Sequence, residues 1–344
     1  MMRKIKIKNE IPSYIIWGDS NKLLRKIRNE KKLLIFDRNA SLGFVNGFRY
    51  ALGLTEYQKN TSLFEKIINF FYKTKLNRKD IVVCAGGGLL SDVCGFATSV
   101  WMRGVDFIII PTTLLSQIDA SVGGKTAINF KDKKNLIGSF HFPKYVIIDP
   151  QLTLSQNYND YIQAFGEIFK YIIISDEKTS RRIIDLIDGV IERKVKSIKN
   201  CSRLCVDFKL KIIEKDPFDK KGIREILNFG HTIAHALEML STIPHGDAVL
   251  CGCIFELMLS QKLGYIKKEK NQKFFELLRY RDVDEKIKNI NFKRILEKIE
   301  YDKKNSSSKN SFLIITNRGI KKIVDVEDRI LYEIWRRLCE KRYL

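Results

Sequence analysis

Short apolar segments that alternate with a helical pattern constrain the fold of this chain more than any other feature. Before residue 150, four such segments have the length and composition of buried strands: Lys32–Phe36, Ile81–Ala85, Phe107–Ile110 and Tyr145–Ile148. Between the first two, Ser62–Tyr72 has the apolar spacing of a helix. Strands separated by helices favour a largely parallel sheet, because parallel neighbours need a crossover connection. The sequence therefore predicts an N-terminal α/β domain.

The pattern changes near residue 150, and helical periodicity dominates from there on. A strand-like segment, Phe312–Ile315, interrupts this pattern late in the chain. We therefore predict two domains, residues 1–150 and residues 151–344, of which the second is mostly α-helical. The long helical segments are predicted at Tyr158–Ser175, Arg181–Ile198, Cys201–Lys215, Ile233–Ser241 and Ala248–Leu263.

Composition excludes several classes of protein. The chain has 344 residues, of which 44% are hydrophobic and 30% charged, as in ordinary globular proteins. No apolar run approaches the ~20 residues of a membrane helix, and the basic N-terminus lacks a signal-peptide core, so we expect no membrane association. The seven cysteines show no CxxC pairing. Reduced thiols and a cytoplasmic location are therefore expected.

The net charge of +22, from 62 basic and 40 acidic residues, raises the alternative of a nucleic-acid-binding protein. Lysines are spread over the whole length, alongside abundant isoleucine and asparagine. This distribution favours a solvated basic surface over a binding groove. We therefore expect no nucleic-acid partner, although such a surface can still attract an anionic substrate.

Histidine usage gives the clearest chemical signal. The chain has four histidines, and three of them, His231, His235 and His245, fall within fifteen residues. His231 and His235 are four residues apart on a predicted helix and therefore share a face, with Glu238 on the same side. Imidazole is a good ligand for zinc, and the HExxH protease motif is absent. The sequence predicts a metal site, against the alternative of structural histidines grouped by chance.

A third ligand could be a carboxylate. Glu167 is attractive because it lies in an otherwise apolar helical segment, AFGEIFKYIII, where an unpaired charge would be costly. The alternative is a structural ion pair between Glu167 and Lys170, three residues later. Spacing alone does not separate the two interpretations.

A glycine-rich turn, CAGGGLLSD, follows the second predicted strand. Such a turn suits the approach of a dinucleotide phosphate to backbone N–H groups at the start of a helix. The GxGxxG pattern is incomplete, since Ser91 occupies the third glycine position, and Asp37 is the candidate acidic partner of a ribose. SVGGKTAI resembles the end of a phosphate loop, but Asp119 stands where that loop needs glycine. A P-loop nucleotidase is therefore not favoured.

Polar side chains also occur within the apolar, glycine-rich segment from Arg103 to Asn135. Side chains in such surroundings line a site more often than they cover an arbitrary surface. The residues concerned are Arg103, Asp119, Lys125, Lys134 and Asn135.

The order of these motifs resembles the 3-dehydroquinate synthase family of the sugar-phosphate cyclase superfamily, over roughly residues 30–320. The resemblance implies the family's fold, an N-terminal α/β nucleotide-binding domain followed by a mostly α-helical domain. It is carried by GGGLLSDVCGF, WMRGVDFIIIPTTLLSQIDASVGGKTAIN, KNLIGSFHFP, GEIFKY, REILNFGHTIAHALE, HGDAV and a late DKK.

The resemblance also implies an activity. A member of this family converts 3-deoxy-D-arabino-heptulosonate 7-phosphate into 3-dehydroquinate and phosphate, a step of the shikimate pathway to aromatic amino acids. The reaction proceeds by transient oxidation with NAD, elimination of phosphate, reduction and intramolecular aldol closure. The implied cofactors are NAD and a divalent metal, Zn²⁺ or Co²⁺, and the implied assembly is a homodimer.

Matching the motifs assigns roles to individual residues. The metal ligands fall on Glu167, His231 and His245, and His235 becomes a substrate contact that acts in proton transfer. Arg103 matches an arginine that reaches the phosphate from a neighbouring subunit. The other substrate contacts are Asp119, Lys125, Lys134, Asn135, Lys170, Lys209, Arg224, Asn228 and Lys304. The NAD contacts are Asp37, Glu56, Lys59, Gly87, Gly88, Leu89, Leu90, Ser91, Asp92, Thr112, Thr113, Lys125, Lys134, Leu152, Thr153, Leu154 and Ser155.

Several positions depart from the family pattern. Gly166 stands where alanine usually precedes the ligand glutamate, and Ala234 where glycine is usual; both exchanges are expected to be tolerated. The segment Asp216–Asp219 replaces an acidic run and adds one residue nearby. Two enzyme classes remain as alternatives: another sugar-phosphate cyclase, such as 2-deoxy-scyllo-inosose synthase, and an iron-containing or glycerol-type alcohol dehydrogenase.

Overall fold

The chain forms two compact units. The structure is a computed structural model, and it describes residues 2–5, 13–27, 31–38, 48–53, 58–131, 133–241, 243–267, 274–277, 283–302, 310–317 and 319–341. Unit 1 consists of Met1–Tyr161 and Leu186–Lys221, and unit 2 of Ile162–Asp185 and Gly222–Leu344. This division differs from a single boundary near residue 150, because Leu186–Lys221 belongs to unit 1. The boundary at 150, between an NAD-binding domain and a metal- and substrate-binding domain, remains a prediction.

A seven-stranded sheet forms the centre of unit 1. Its strands, in the spatial order β1-β2-β9-β6-β5-β3-β4, are parallel except for the pair β1 and β2. The strands are β1 (Met2–Ile5), β2 (Ser13–Trp17), β3 (Lys32–Asp37), β4 (Phe48–Leu52), β5 (Ile81–Gly86), β6 (Phe107–Pro111) and β9 (Tyr145–Ile148). A separate antiparallel hairpin consists of β7 (Lys125–Phe130) and β8 (Lys133–Phe140).

Both faces of the parallel sheet are covered, which explains why its central strands are apolar throughout. In β5, Val82 and Cys84 belong to one buried cluster, whereas Val83 and Ala85 belong to another. This alternation follows from the two-residue period of a strand. The helices of unit 1 are α1 (Ser20–Lys26), α2 (Thr61–Lys73), α3 (Gly88–Val100), α4 (Tyr158–Ile162), α7 (Ile187–Ile191) and α8 (Val195–Ile213).

Helix α8 belongs to unit 1 because its apolar face packs on the sheet. Val206, Leu210 and Ile213 form one buried cluster with Trp17 of β2 and Ile148 of β9. Burial of such side chains stabilises a fold by about 1.5–3 kcal/mol each. The helical pattern of this segment was visible in the sequence, but its partner in the fold was not.

Unit 2 is mostly helical. Its helices are α5 (Ala164–Ile174), α6 (Glu177–Ile184), α9 (His231–Leu240), α10 (His245–Lys262), α11 (Asp284–Ile287), α12 (Phe292–Asp302) and α13 (Asp328–Cys339). An antiparallel hairpin of β10 (Ser311–Thr316) and β11 (Gly319–Val324) is also present. Among the described residues, none of the helices is both long and apolar enough to span a membrane.

The predicted fold class is confirmed, with corrections to individual elements. The four predicted strands and the strand at Phe312–Ile315 are present. The predicted helix Tyr158–Ser175 is interrupted at Gln163, and the predicted helix Arg181–Ile198 is wrong as one element, since α6, α7 and the start of α8 replace it. All seven cysteines are free thiols, as expected.

Candidate active site

Glu167 and Lys170 lie on α5, a helix that is buried along its whole length. The two residues are only 2% and 1% exposed, and their side chains form an ion pair. Burial of a carboxylate is costly unless a cation or a hydrogen-bond donor compensates it. The pair is therefore present, but it does not account for all the neighbours of Glu167.

Two histidines face the same carboxylate. The Oε1 atom of Glu167 lies 3.5 Å from Nε2 of His231 and 3.4 Å from Nε2 of His245. One donor atom from each of the three residues can be chosen so that all lie within 4.8 Å of one another. A carboxylate and two imidazoles form a suitable donor set for zinc or cobalt, and three protein ligands leave a coordination position for substrate.

The second ring nitrogen of each histidine is also held. His231 Nδ1 lies 3.2 Å from the carbonyl oxygen of Phe229, and His245 Nδ1 lies 3.2 Å from Oε1 of Glu238. Histidines that bind metals generally donate this other N–H to a carbonyl or carboxylate, which fixes the ring orientation. Both rings therefore direct Nε2 toward Glu167.

Glycines allow the three helices to come close at these residues. Gly166, Gly230 and Gly246 each adjoin one of the three predicted ligands in the sequence. A Cβ atom on Gly166 would lie 2.0 Å from the carbonyl oxygen of Gly246, which no real side chain tolerates. Gly230 additionally has φ of +81°, a conformation that favours glycine.

A second buried carboxylate, Glu256 on α10, supports the start of α9. It is fully buried and accepts a hydrogen bond of 2.6 Å from the backbone N–H of Gly230. This contact fixes the backbone immediately before His231. Sequence reasoning missed Glu256, although an acid in an otherwise apolar helical segment is the same signal that Glu167 gave.

The charges of the cluster act on its ionisable groups. Burial opposes ionisation of Glu167, but Lys170 and the two histidines together hold the pKa of this carboxyl well below its usual range. For His245, burial favours the neutral ring, yet the carboxylates of Glu167 and Glu238 raise the pKa to about 10. The carboxylates thus create a strongly cation-attracting centre.

A pocket in unit 2 adjoins this centre. Its wall includes His231, His235, Asn228 and the ion pair between Glu225 and Lys322, whose charged atoms are 2.8 Å apart. The ring centroids of His231 and His235, one turn apart on α9, are separated by 5.5 Å. Asn228 ends a 3₁₀ helix, Ile223–Asn228, in which Arg224 is buried. These predicted substrate contacts therefore lie on elements adjacent to the metal cluster.

In unit 1, the predicted NAD contacts follow neighbouring parallel strands. Asp37 ends β3, Gly87 and Gly88 follow β5, and Thr112 and Thr113 follow β6. Residues 152–155 come after β9, in a 3₁₀ helix that spans Pro150–Ser155. Because parallel strands end at the same edge of a sheet, these segments meet where nucleotides bind in open α/β sheets.

The glycine-rich turn is suited to close backbone approach. Gly87 precedes α3 as its N-terminal cap, and a Cβ atom there would lie 3.3 Å from the side chain of Thr113. A Cβ atom on Gly88 would lie 3.0 Å from Ala120. Leu90 and Ser91 are buried, and Ser91 donates a hydrogen bond to the Gly88 carbonyl. Leu89 is partly buried. Leu90 and Ser91 therefore support the turn.

Three predicted lysines in unit 1, Lys59, Lys209 and Lys125, each form an ion pair. Lys59 lies 2.5 Å from Asp92 and also donates to Asn135. Lys209 is buried and contacts both the carbonyl and, at 3.1 Å, the carboxylate of Asp119.

Lys125 lies 2.5 Å from Asp219, in the segment that departs from the family pattern. Phe218 of this segment packs edge-on against Phe140 and Phe142. Despite its extra residue, the segment therefore has a defined place beside Lys125.

The remaining predicted residues differ in exposure, and two of them lie outside the described residues. Arg103 is exposed at a turn with φ of +64°, and Lys134 is exposed on β8. Leu152 and Thr153 are buried, whereas Leu154 and Ser155 are exposed. Glu56 and Lys304 lie outside the described residues.

Two family models match consecutive parts of the chain. The 3-dehydroquinate synthase N-terminal model matches residues 49–163, and the C-terminal model of the same family matches residues 164–305. The chain belongs to the 3-dehydroquinate synthase family. The junction between the two matches falls at the start of α5, the helix that carries Glu167.

Individual known proteins are also similar to this chain, one in sequence and two in fold. A 3-dehydroquinate synthase from Clostridium tetani is 35% identical over 297 residues, covering 86% of this chain and 75% of that protein. A 2-deoxy-scyllo-inosose synthase, solved with carbaglucose-6-phosphate, NAD⁺ and Co²⁺, has a TM-score of 0.82 at 20% identity, covering 98% of this chain and 99% of that one. ValA from Streptomyces hygroscopicus, a 2-epi-5-epi-valiolone synthase solved with NAD⁺ and Zn²⁺, has a TM-score of 0.80 at 20% identity with the same coverage.

Proposed function

We propose that this chain is a 3-dehydroquinate synthase, which converts 3-deoxy-D-arabino-heptulosonate 7-phosphate into 3-dehydroquinate and phosphate. The observation that carries the proposal is the convergence of Glu167, His231 and His245 in a chain of this family. NAD and a divalent metal are the proposed cofactors, because the family uses both and the described residues suit both.

The metal would be held by Glu167 and by Nε2 of His231 and His245. Their separations, and the fixing of both Nδ1 atoms by Phe229 and Glu238, suit a divalent ion with an open coordination position. Structures with a similar fold contain Zn²⁺ or Co²⁺. When bound, the metal would act as a Lewis acid on a substrate hydroxyl, and NAD would accept and return a hydride.

The chain's own residues have the task of orienting an anionic substrate and moving protons. Lysine, arginine and asparagine side chains suit a phosphate and a carboxylate, because charge-assisted hydrogen bonds are the stronger ones. We assign this role to Lys125, Lys209, Arg224, Asn228 and Lys304. Asp119, Lys134 and Asn135 would complete these contacts, while Lys170 neutralises Glu167. We assign proton transfer at the substrate to His235, which is exposed beside His231.

NAD would lie at the carboxyl edge of the parallel sheet. Gly87 and Gly88 leave space for its phosphates at the start of α3, and Asp37 is the candidate ribose contact. Lys59 and Asp92 are held together at the same end of the domain. We also assign nucleotide contacts to the segments that follow β6 and β9, because they adjoin the same edge of the sheet.

A homodimer is part of the proposal. Arg103 is exposed, and three consecutive residues around it, Met102, Arg103 and Gly104, have positive φ. An exposed arginine at this turn is consistent with a residue that completes a neighbouring subunit's phosphate site. We also propose a cytoplasmic location, in keeping with the seven free thiols.

The decisive assay incubates purified protein with the heptulosonate phosphate, NAD and Zn²⁺ or Co²⁺. We expect release of phosphate and formation of 3-dehydroquinate, without accumulation of NADH. An alcohol dehydrogenase would instead produce NADH in stoichiometric amounts. A different cyclase would leave this substrate unchanged and act on a sugar phosphate that lacks the carboxylate. Inertness at full metal occupancy would contradict the proposal.

A further inference from the structure

Asp247 is a buried acid close to the proposed metal centre. It lies in the HGDAV motif, but neither the family resemblance nor the proposed mechanism gives it a role. It is the third residue of α10, the helix that begins with His245, and its side chain is only 1% exposed. A carboxylate buried to this extent needs compensating partners. Its partners include the amide group of Gln163 and the ammonium group of Lys286.

Gln163 contacts Asp247 at two points. Its Oε1 atom accepts a hydrogen bond of 3.0 Å from the backbone N–H of Asp247. Its Nε2 atom donates one of 3.3 Å to the Asp247 carboxylate. Gln163 is the residue that immediately precedes α5, four positions before Glu167. This amide therefore connects the first turn of one ligand-bearing helix to the first turn of the other.

The backbones of the two helices are in contact at the same place. A Cβ atom on Gly246 would lie 1.8 Å from the carbonyl oxygen of Gln163. Helices in such close contact can still slide along each other unless specific bonds fix them. The two hydrogen bonds of Gln163 supply that restraint, and Lys286 on α11 neutralises the carboxylate at 2.5 Å.

We propose that Asp247 is a positioning residue for the metal centre, which acts through Gln163 and Lys286 to set the separation of Glu167 and His245. The proposal rests on the proposed function, because a divalent metal is what those two residues would hold. Asp247 itself does not contact the metal in this account. A merely structural role would affect the stability of the fold and leave the properties of the bound metal unchanged.

The test compares Co²⁺ binding to the full-length protein and to variants, by competition with a chelator and by the visible absorption of the bound ion. In Asp247→Asn, we expect the Co²⁺ dissociation constant to rise by about tenfold, the lower end of the effect of removing a direct partner of a metal ligand. The absorption spectrum is expected to change as well. Gln163→Ala, which removes both amide contacts, should act in the same direction and serves if the first variant fails to fold.

The chain offers a matched control in Lys262, on the helix α10 that carries Asp247. Lys286 and Lys262 are 38% and 39% exposed, and each pairs with a carboxylate, at 2.5 Å and 2.7 Å. Lys262, however, is the last residue of α10 and lies far along the helix from His245. Lys286→Met should weaken Co²⁺ binding, whereas Lys262→Met should leave affinity and spectrum unchanged.

The outcomes separate this inference from the proposed function. If Asp247→Asn and Gln163→Ala bind Co²⁺ with wild-type affinity and spectrum, Asp247 is not a positioning residue, even where the enzyme makes 3-dehydroquinate. If the wild-type protein binds no Co²⁺, both proposals are overturned. If binding is lost in these variants while the wild type forms no product, the inference stands and only the assigned reaction fails.

Discussion

The Nδ1 atom of His245 lies 3.2 Å from a carboxylate oxygen of Glu238. Glu238 is on α9 and His245 begins α10, so the contact joins two helices. It leaves Nε2 of the same ring to face Glu167 at 3.4 Å. A carboxylate at this position both orients the imidazole and increases its basicity toward a metal.

Glu238→Gln is therefore expected to weaken metal binding. Glutamine keeps the size of the side chain but removes its charge, so the ring is held less firmly and is less basic. We expect the dissociation constant for Zn²⁺ to rise by roughly 10–100-fold. Competition between the metal-free protein and a chromophoric chelator measures this constant directly.

A control for Glu238→Gln is Glu333→Gln, which neutralises a carboxylate on α13 paired with Lys262. This variant should bind Zn²⁺ like the wild type. An equal, small change in both variants would mean that Glu238 contributes only general negative charge, and the orienting role would be abandoned.

Gly166→Ala is expected to disturb the fold at the metal centre, contrary to the expectation that this family difference is tolerated. The new Cβ atom would lie 2.0 Å from the carbonyl oxygen of Gly246, so α5 and α10 must separate. Overpacking of this kind costs about 1–3 kcal/mol. Denaturant unfolding should report the loss, and metal affinity should fall with it. Gly53→Ala, at a site with open space around it, should change neither quantity.

The fold was predictable where a strand or helix is encoded locally. Ile81–Ala85 was assigned from its own apolar run, and the observed strand is one residue longer. The hairpin of β7 and β8 was missed because β8 is largely exposed and carries no apolar alternation. The placement of α8 in unit 1 depends on contacts with Trp17 and Ile148, which are distant in sequence.

The candidate site was predictable only where its residues lie on one locally encoded helix. His231 and His235 lie on one helix, so their spacing alone suggested a common face. Glu167 could not be separated from a simple ion pair by spacing, because its histidine neighbours come from α9 and α10. Asp247 and Glu256 gave only the weak signal of an acid in an apolar segment.

Lys170→Met tests the buried ion pair of Glu167. Removing one partner of a buried pair leaves an uncompensated charge and costs about 3–5 kcal/mol. We expect the melting temperature of the metal-free protein to fall markedly and added Zn²⁺ to recover a larger part of it than in the wild type, because the ion replaces the missing positive charge. Differential scanning calorimetry with and without Zn²⁺ checks both expectations.

The comparison for Lys170→Met is Arg181→Met on α6, which removes an exposed helical ion pair with Glu177. Exposed pairs contribute little to stability, so this variant should melt close to the wild type. A Zn²⁺ effect equal in all three proteins would count against compensation of Glu167 by the metal.

His141 makes the stability of unit 1 depend on pH. Burial lowers the pKa of its ring, and the carbonyl of Val105 and the charge of Asp106 only partly offset this effect. In the unfolded chain the ring takes up a proton near pH 6.5, whereas the folded chain does so only at lower pH. The unfolded state therefore binds more protons just below this value, and stability falls as the pH falls, by at most about 1.4 kcal/mol per pH unit from this group.

Denaturant unfolding near pH 7.5 and pH 5.5 tests this dependence. The free energy of unfolding should fall less between these pH values in His141→Phe and His141→Gln than in the wild type. Phenylalanine retains a ring against Phe107, whereas glutamine does not, so the two variants should differ in stability at high pH but share the flatter pH dependence. A loss as steep as that of the wild type in both variants would assign the pH dependence to other groups.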